Sequence, residues 1–213
     1  MERDRLLINQ IMSWDEFLMF ENTHEGNFEF DGINPIKLMS ASREHQDVLQ
    51  RIYQEFYEFL KGSKCKAYLA PITFVYDWDS PQTGGKQKEP DLMVTCDDNY
   101  YKGKYFGVPL VIVEVVSPNN FKDDYEIKRN LYERIGVQEY WIVNPYLGEV
   151  IKYDLDIDSK KYILPLTYRV KEILDSSIFS ELKINLESIF ENLDLSEEDI
   201  SKFKSKVVEF KIR

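Results

Sequence analysis

The sequence predicts a single α/β (α+β) domain spanning residues 1–213, and three observations predict it. A long amphipathic helix, three strand candidates, a second amphipathic helix and another buried-looking strand follow one another through the middle of the chain. Leu110–Ser117 is apolar on both alternating faces, as a strand central in a sheet must be. No Pro/Gly/Ser-rich linker, fixed-period repeat or low-complexity tract divides the 213 residues, and 43% hydrophobic residues suffice for one sizeable core.

The elements follow in order. Ser13-Trp14-Asp15-Glu16 is a capping-box pattern that predicts a short helix carrying Phe17, Leu18 and Phe20. Asn27–Gly32, ending in Asp-Gly, and Ile36–Met39 predict a hairpin. From Arg43 to Lys61, Leu49, Ile52, Phe56 and Phe59 recur at helical spacing, and Gly62 supplies the C-terminal stop. Strands are expected at Ala67–Tyr76, Asp91–Cys96 and Leu110–Ser117. A second helix is expected over Asp124–Ile135, with Asp123 and Glu126 as a capping pair and Gly136 at its end. Tyr140–Val143 reads as a buried strand, and Asn144–Gly148 turns into an alternating strand, Glu149–Leu155. Ser196–Arg213 predicts a terminal helix with Ile200, Phe203, Val207 and Phe210 on one face, able to pack within the subunit or against a second one.

Charge narrows the function classes. There are 27 basic and 38 acidic residues, a formal net of −11. Residues 1–60 carry 5 basic and 12 acidic side chains, whereas 61–110 carry 7 and 6. That excess opposes unassisted binding of phosphate chains, which displaces counterions with Lys and Arg, yet net charge does not say where charges sit. Cys65 and Cys96 lie 31 apart without a C-x-x-C pattern, so neither a zinc knuckle nor a disulfide framework is suggested, and the reducing cytosol is the expected compartment. The charged start, MERDRLLINQIM, and the interruption of the best apolar run by Glu114 predict neither a signal peptide nor a membrane span. G-x-S-x-G, P-loop, G-x-G-x-x-G and H-E-x-x-H motifs are absent, and His24 and His45 alone cannot build a His-rich zinc site.

Polar residues on faces patterned for burial are the candidates for chemistry. Glu114 interrupts Val111-Ile112-Val113-Glu114-Val115-Val116, where a carboxylate is retained when it is paired or bound to a metal. A buried salt bridge or an edge position is the competing structural account. Asp91 follows Pro90, an ordinary turn pair by itself. With Glu114 it means more, since neighbouring strands of one hairpin could bring both carboxylates to one end of a sheet, the oxygen cluster a hard divalent cation wants. Lys128 shares a helix face with Leu131, Tyr132 and Ile135; it either snorkels out with Asp124 as partner or reaches a carboxylate or phosphate. His45 opens the 43–61 helix on its apolar stripe, where a satisfied core histidine is the alternative to a site residue. Glu29 lies just ahead of the Asp-Gly turn.

Taken in order, Phe28-Glu29-Phe30-Asp31-Gly32, His45, Glu89-Pro90-Asp91, Val113–Pro118, then Asp124 with Lys128 and Tyr132, and GVQEYWIV at 136–143 resemble the Uma2 family of restriction-endonuclease-like proteins in the PD-(D/E)XK nuclease superfamily. The resemblance covers residues 13 to 191 and leaves 192–213 as a C-terminal helical extension. It implies a restriction-endonuclease-like core, a mixed β-sheet flanked by helices. It further implies that Asp91 and Glu114, with Glu29, bind metal as Mg²⁺ or Mn²⁺. Lys128 takes the catalytic lysine's role, and His45 and Tyr132 match family positions. The superfamily's basic pattern places a lysine two residues after the second acid; here that residue is Val116, and the lysine comes from the following helix.

The implied activity is metal-dependent hydrolysis of phosphodiester bonds in nucleic acid, with DNA as the expected substrate. The expected assembly is a homodimer, by analogy with nucleases that cut two strands, and no membrane partner is expected. Two other readings stay open: an inactive nuclease fold that only binds or interacts, and a nuclease acting on RNA or structured nucleic acid. No helix-turn-helix or zinc finger is present to read a site.

Overall fold

A computed structural model describes residues 5–38, 41–117, 121–193, 195–198, 200–201 and 203–205. Strand β1 (Arg5–Leu7) precedes helix α1 (Trp14–Thr23) and the hairpin β2 (Phe28–Phe30) and β3 (Pro35–Leu38). Helix α2 (Arg43–Leu60) leads into β4 (Lys66–Leu69), β5 (Phe74–Tyr76), β6 (Lys86–Lys88), β7 (Leu92–Thr95), β8 (Tyr100–Tyr101), β9 (Lys104–Phe106) and β10 (Val111–Val115). A π-helical turn, Asp123–Lys128, continues directly as α3 (Arg129–Ile135). The chain then forms β11 (Glu139–Asn144), β12 (Glu149–Asp156), β13 (Lys161–Tyr162), β14 (Leu166–Arg169), β15 (Ile173–Asp175), β16 (Lys183–Asn185) and α4 (Leu186–Phe190).

The strands make two large mixed sheets and one small one. One runs β1-β3-β2-β6-β5-β9-β8; the other runs β13-β12-β11-β10-β7-β4, with β14 added on β12. In the second, β10 is parallel to β11 and antiparallel to β7, which makes β10 the central strand expected from its two apolar faces. Val111, Val113 and Val115 pack with Val48, Leu49, Ile52 and Phe56 of α2. Ile112 and Val116 face an aromatic cluster that contains Tyr132 and Tyr140. A helix therefore covers each face of this sheet.

Local signals placed most elements. Ser13 and Glu16 form the reciprocal capping box, with Ser13 N donating to Glu16 Oε2 at 2.7 Å. Gly136 closes α3 in a left-handed conformation, φ 92°. Several expectations are corrected. The stripe of α2 is completed by Val48 and Leu60, while Phe59 is exposed. The segment 67–76 is two strands in different sheets, because the chain leaves β4 at Ala70-Pro71, where proline has no N–H to continue a ladder. The Asp123–Glu126 capping pair does not start the second helix, since helical backbone already runs through Phe121 and Lys122. Cys65 and Cys96 are joined in a disulfide: Lys66 pairs with Thr95 across β4 and β7, so the flanking cysteines oppose each other, a register that sequence spacing does not reveal.

Of the expected terminal helix, 206–213 lie outside the described residues, including Val207 and Phe210. Phe203 packs within the subunit, against Tyr146 at 5.3 Å and Phe121 at 5.6 Å between ring centroids. No described helix is long and apolar enough to cross a membrane.

Candidate active site

Glu114 lies at the edge of the aromatic cluster, 1% exposed, on the face of β10 that looks toward the 123–135 helix. Burying a carboxylate there requires partners. Lys128 Nζ stands 2.7 Å from Glu114 Oε2, and the Tyr132 hydroxyl donates to Oε1 at 2.7 Å. These two residues are one helical turn apart and so reach the same carboxylate. Of the options open to it in the sequence, Lys128 does not snorkel out: it is buried and reaches a carboxylate, and it binds Asp124 Oδ1 as well, at 2.9 Å.

Asp91 meets Glu114 across the strand pair. The register Leu92 with Val113 continues to them, with Asp91 N 3.4 Å from Glu114 Oε2 and Val115 N donating to Asp91 Oδ2 at 2.7 Å. The expected hairpin is absent, because β8 and β9 leave for the other sheet between β7 and β10. His45, in the first turn of α2 and capped by Ser42, brings Nε2 to 3.1 Å from the same Asp91 Oδ2. Its Nδ1 is buried without a hydrogen-bond partner among the described residues.

Environment separates the two acids. Burial pushes Glu114 up to about 7, against the opposing charge of Lys128. Burial would also raise Asp91, but His45 and then Lys128 outweigh it and hold the group at about 2. Burial and the charge of Glu114 raise Tyr132 well above the usual phenol range, so its hydroxyl stays a donor. Burial acts to lower His45, but the carboxylates of Asp91, Glu114 and Asp124 together outweigh it, a net upward shift.

Glu29 is held elsewhere. On β2, fully buried, it takes Lys88 Nζ on Oε2 at 2.7 Å and the amide of Glu89 on Oε1 at 3.3 Å. It is therefore tied to the Glu89-Pro90-Asp91 link between the two sheets, without a direct bond to Asp91 or Glu114 among those described.

A family model for Uma2, described as a putative restriction endonuclease, matches residues 14–187. The chain belongs to the Uma2 family. A crystal structure of a putative nuclease belonging to DUF820, from Anabaena variabilis, superimposes with a TM-score of 0.65 at 15% identity, covering 84% of this chain and 97% of that one. At that identity the likeness shows the fold alone. Among curated proteins no sequence match is found.

Within this Uma2 chain, Val116 is 1% exposed in the aromatic cluster, and the lysine that reaches the second acid is Lys128. The donor set suits a hard divalent cation: carboxylate oxygens on two adjacent strands, one of them firmly ionised. Among the described residues no three His, Cys, Asp or Glu side chains are already gathered as a ligand group. In the sequence Glu89 stands out only within the family-like Glu89-Pro90-Asp91 string, and no local pattern marks Lys88; burial and the neighbouring Glu29 and Asp91 charges raise the Glu89 pKa to about 7. In the polar run Lys86-Gln87-Lys88-Glu89 no hydropathy contrast marks a buried residue. Asp124 is marked in the sequence as the helix neighbour of Lys128 and as part of the family-like set with Lys128 and Tyr132.

Proposed function

We propose that this chain is a metal-dependent nuclease that hydrolyses phosphodiester bonds in DNA, using Mg²⁺ or Mn²⁺. The carrying observation is Glu114, buried mid-strand beside Asp91 and met by Lys128 at 2.7 Å. In this reading Asp91 and Glu114 hold the ion, and Glu29, tied through the Glu89 amide to the loop carrying Asp91, supplies the third acid. The bound ion would acidify a water and offset charge on the scissile phosphate.

The chain's own groups do the rest. Tyr132 fixes Glu114 Oε1, while His45 and the Val115 amide fix Asp91 Oδ2, so each carboxylate is oriented before substrate arrives. The Lys128 ammonium is placed to orient the attacking water or to meet negative charge growing on the phosphate. A homodimer is the assembly that would cut both strands.

The test is nicking of duplex DNA with Mg²⁺ or Mn²⁺, run beside single-stranded, structured and RNA substrates. Asp91→Ala and Glu114→Ala should each abolish cleavage; undiminished cleavage by both variants would overturn the assignment. Preference for another substrate in the panel would replace DNA without touching the metal chemistry.

A second reading, a nuclease fold kept only for binding, is supported by the Lys128 ammonium already lying between Glu114 and Asp124. The two readings part on thermal melting: a metal site raises the melting temperature with ion concentration, and an inert module does not respond.

A further inference from the structure

Lys128 and a divalent cation want the same oxygens. The ammonium sits 2.7 Å from Glu114 Oε2 and 2.9 Å from Asp124 Oδ1, and all three side chains are buried. Two cations on one carboxylate repel each other, so an ion arriving at Glu114 displaces the lysine's charge from it. Breaking one buried ion pair of an ammonium in this setting costs several kcal/mol, roughly, unless a carboxylate close by keeps hold of it. Asp124 is placed to prevent that loss.

The local fold builds this second anchor. Asp124 and Lys128 open and close most of the π-helical turn, one turn apart. The Tyr140 hydroxyl, from β11, donates to the Asp124 carbonyl at 3.0 Å and pins the turn to the sheet. π-Helical turns recur where a side chain must be aimed at a functional position.

We propose that Asp124 is a positioning residue for Lys128: it retains the ammonium in the site when a divalent cation takes Glu114, and so strengthens cation binding. The inference rests on the metal-dependent reading above. It predicts a coupling between lysine and metal that passes through Asp124 and is reciprocal, as binding couplings must be.

The experiment is Mn²⁺ titration followed by thermal melting, without nucleic acid, on the full chain. Asp124→Asn, nearly isosteric, should raise the Mn²⁺ midpoint about tenfold, because Lys128 then has Glu114 as its remaining charged partner of the two. Asp124→Glu, which keeps the charge, should restore most of the wild-type midpoint. Lys128→Gln removes the competitor and should lower the midpoint. In the Lys128→Gln background, Asp124→Asn should change it by less than about twofold.

An unchanged midpoint in Asp124→Asn overturns the proposal, as does an equal shift in both backgrounds, which would mean that Asp124 acts on the ion directly. A purely structural role would lower the melting temperature at every Mn²⁺ concentration without moving the midpoint, and that result also overturns it. Absence of any Mn²⁺ response in the wild-type chain is a separate outcome; it overturns the metal-dependent reading and this inference with it.

Discussion

Three lysines among the described residues are buried against carboxylates, Lys88 on Glu29, Lys128 and Lys152, and they differ in what surrounds them. Lys128 serves the candidate site. Lys152, 1% exposed on β12, binds the Asp175 carbonyl at 2.9 Å and the Ser177 hydroxyl at 2.8 Å, with Glu139 Oε1 at 3.3 Å and Asp154 Oδ2 at 3.4 Å. Glu139 is itself fixed by the Ser176 hydroxyl and the Ser177 amide. This network fastens the β15 segment to the sheet, although Asp154 Oδ1 is buried without a hydrogen-bond partner among the described residues. Lys152→Met leaves two carboxylates without their cation and should cost about 3–5 kcal/mol in urea denaturation. A loss under about 0.5 kcal/mol, the size of a surface substitution, would show the network to be dispensable.

At the level of elements, the helix after β10 carries both chemistry and a structural seam. Its inner face presents Asp124, Lys128 and Tyr132 to the site. Its outer part holds β13 through Glu133, whose Oε2 accepts from Tyr162 N at 2.8 Å while Lys161 reaches Oε1 at 3.1 Å and Arg129 reaches Oε2 at 3.2 Å. Burial acts to raise the Glu133 pKa, but the Tyr162 amide and the two cations outweigh it, and the net shift is downward. A depressed carboxylate contributes stability that is present above its unfolded pKa and lost as pH falls through its folded one. Glu133→Gln should therefore destabilise the chain by about 1.5–3 kcal/mol at pH 7. The gap should close as pH drops below the carboxylate range. Denaturation at a series of pH values checks this, and a pH-independent gap would contradict it.

For the whole molecule, the −11 charge sets the terms on which nucleic acid can bind. Much of the excess lies in residues 1–60, while the near-neutral stretch 61–110 contains Asp91 with Lys86, Lys88, Lys102 and Lys104. Lys88 and Lys104 are held by Glu29 and Glu21, so fewer lysines are open to phosphates than the count suggests. DNA binding should be weak without metal, strengthen with Mg²⁺ or Ca²⁺, and fall as salt rises. Fluorescence anisotropy in EDTA tests it; tight binding there would sink the expectation.

The sequence by itself determined the family, the central strand and the identity of the misfit acid, because each is written in local pattern. Glu114 stands out against five β-branched neighbours, and Gly62 and Gly136 end their helices by backbone preference alone. Only the tertiary structure decided what neutralises each buried charge. Whether Glu114 meets Lys128 and Tyr132, Glu29 meets Lys88, or Lys152 is covered at all depends on which distant segment packs over it. The Cys65–Cys96 bond and the division of 67–76 between two sheets have the same origin, since strand register is a long-range choice. Hydropathy reports which positions avoid water; it carries no record of their partners, and partners are what turn a buried acid into a candidate site.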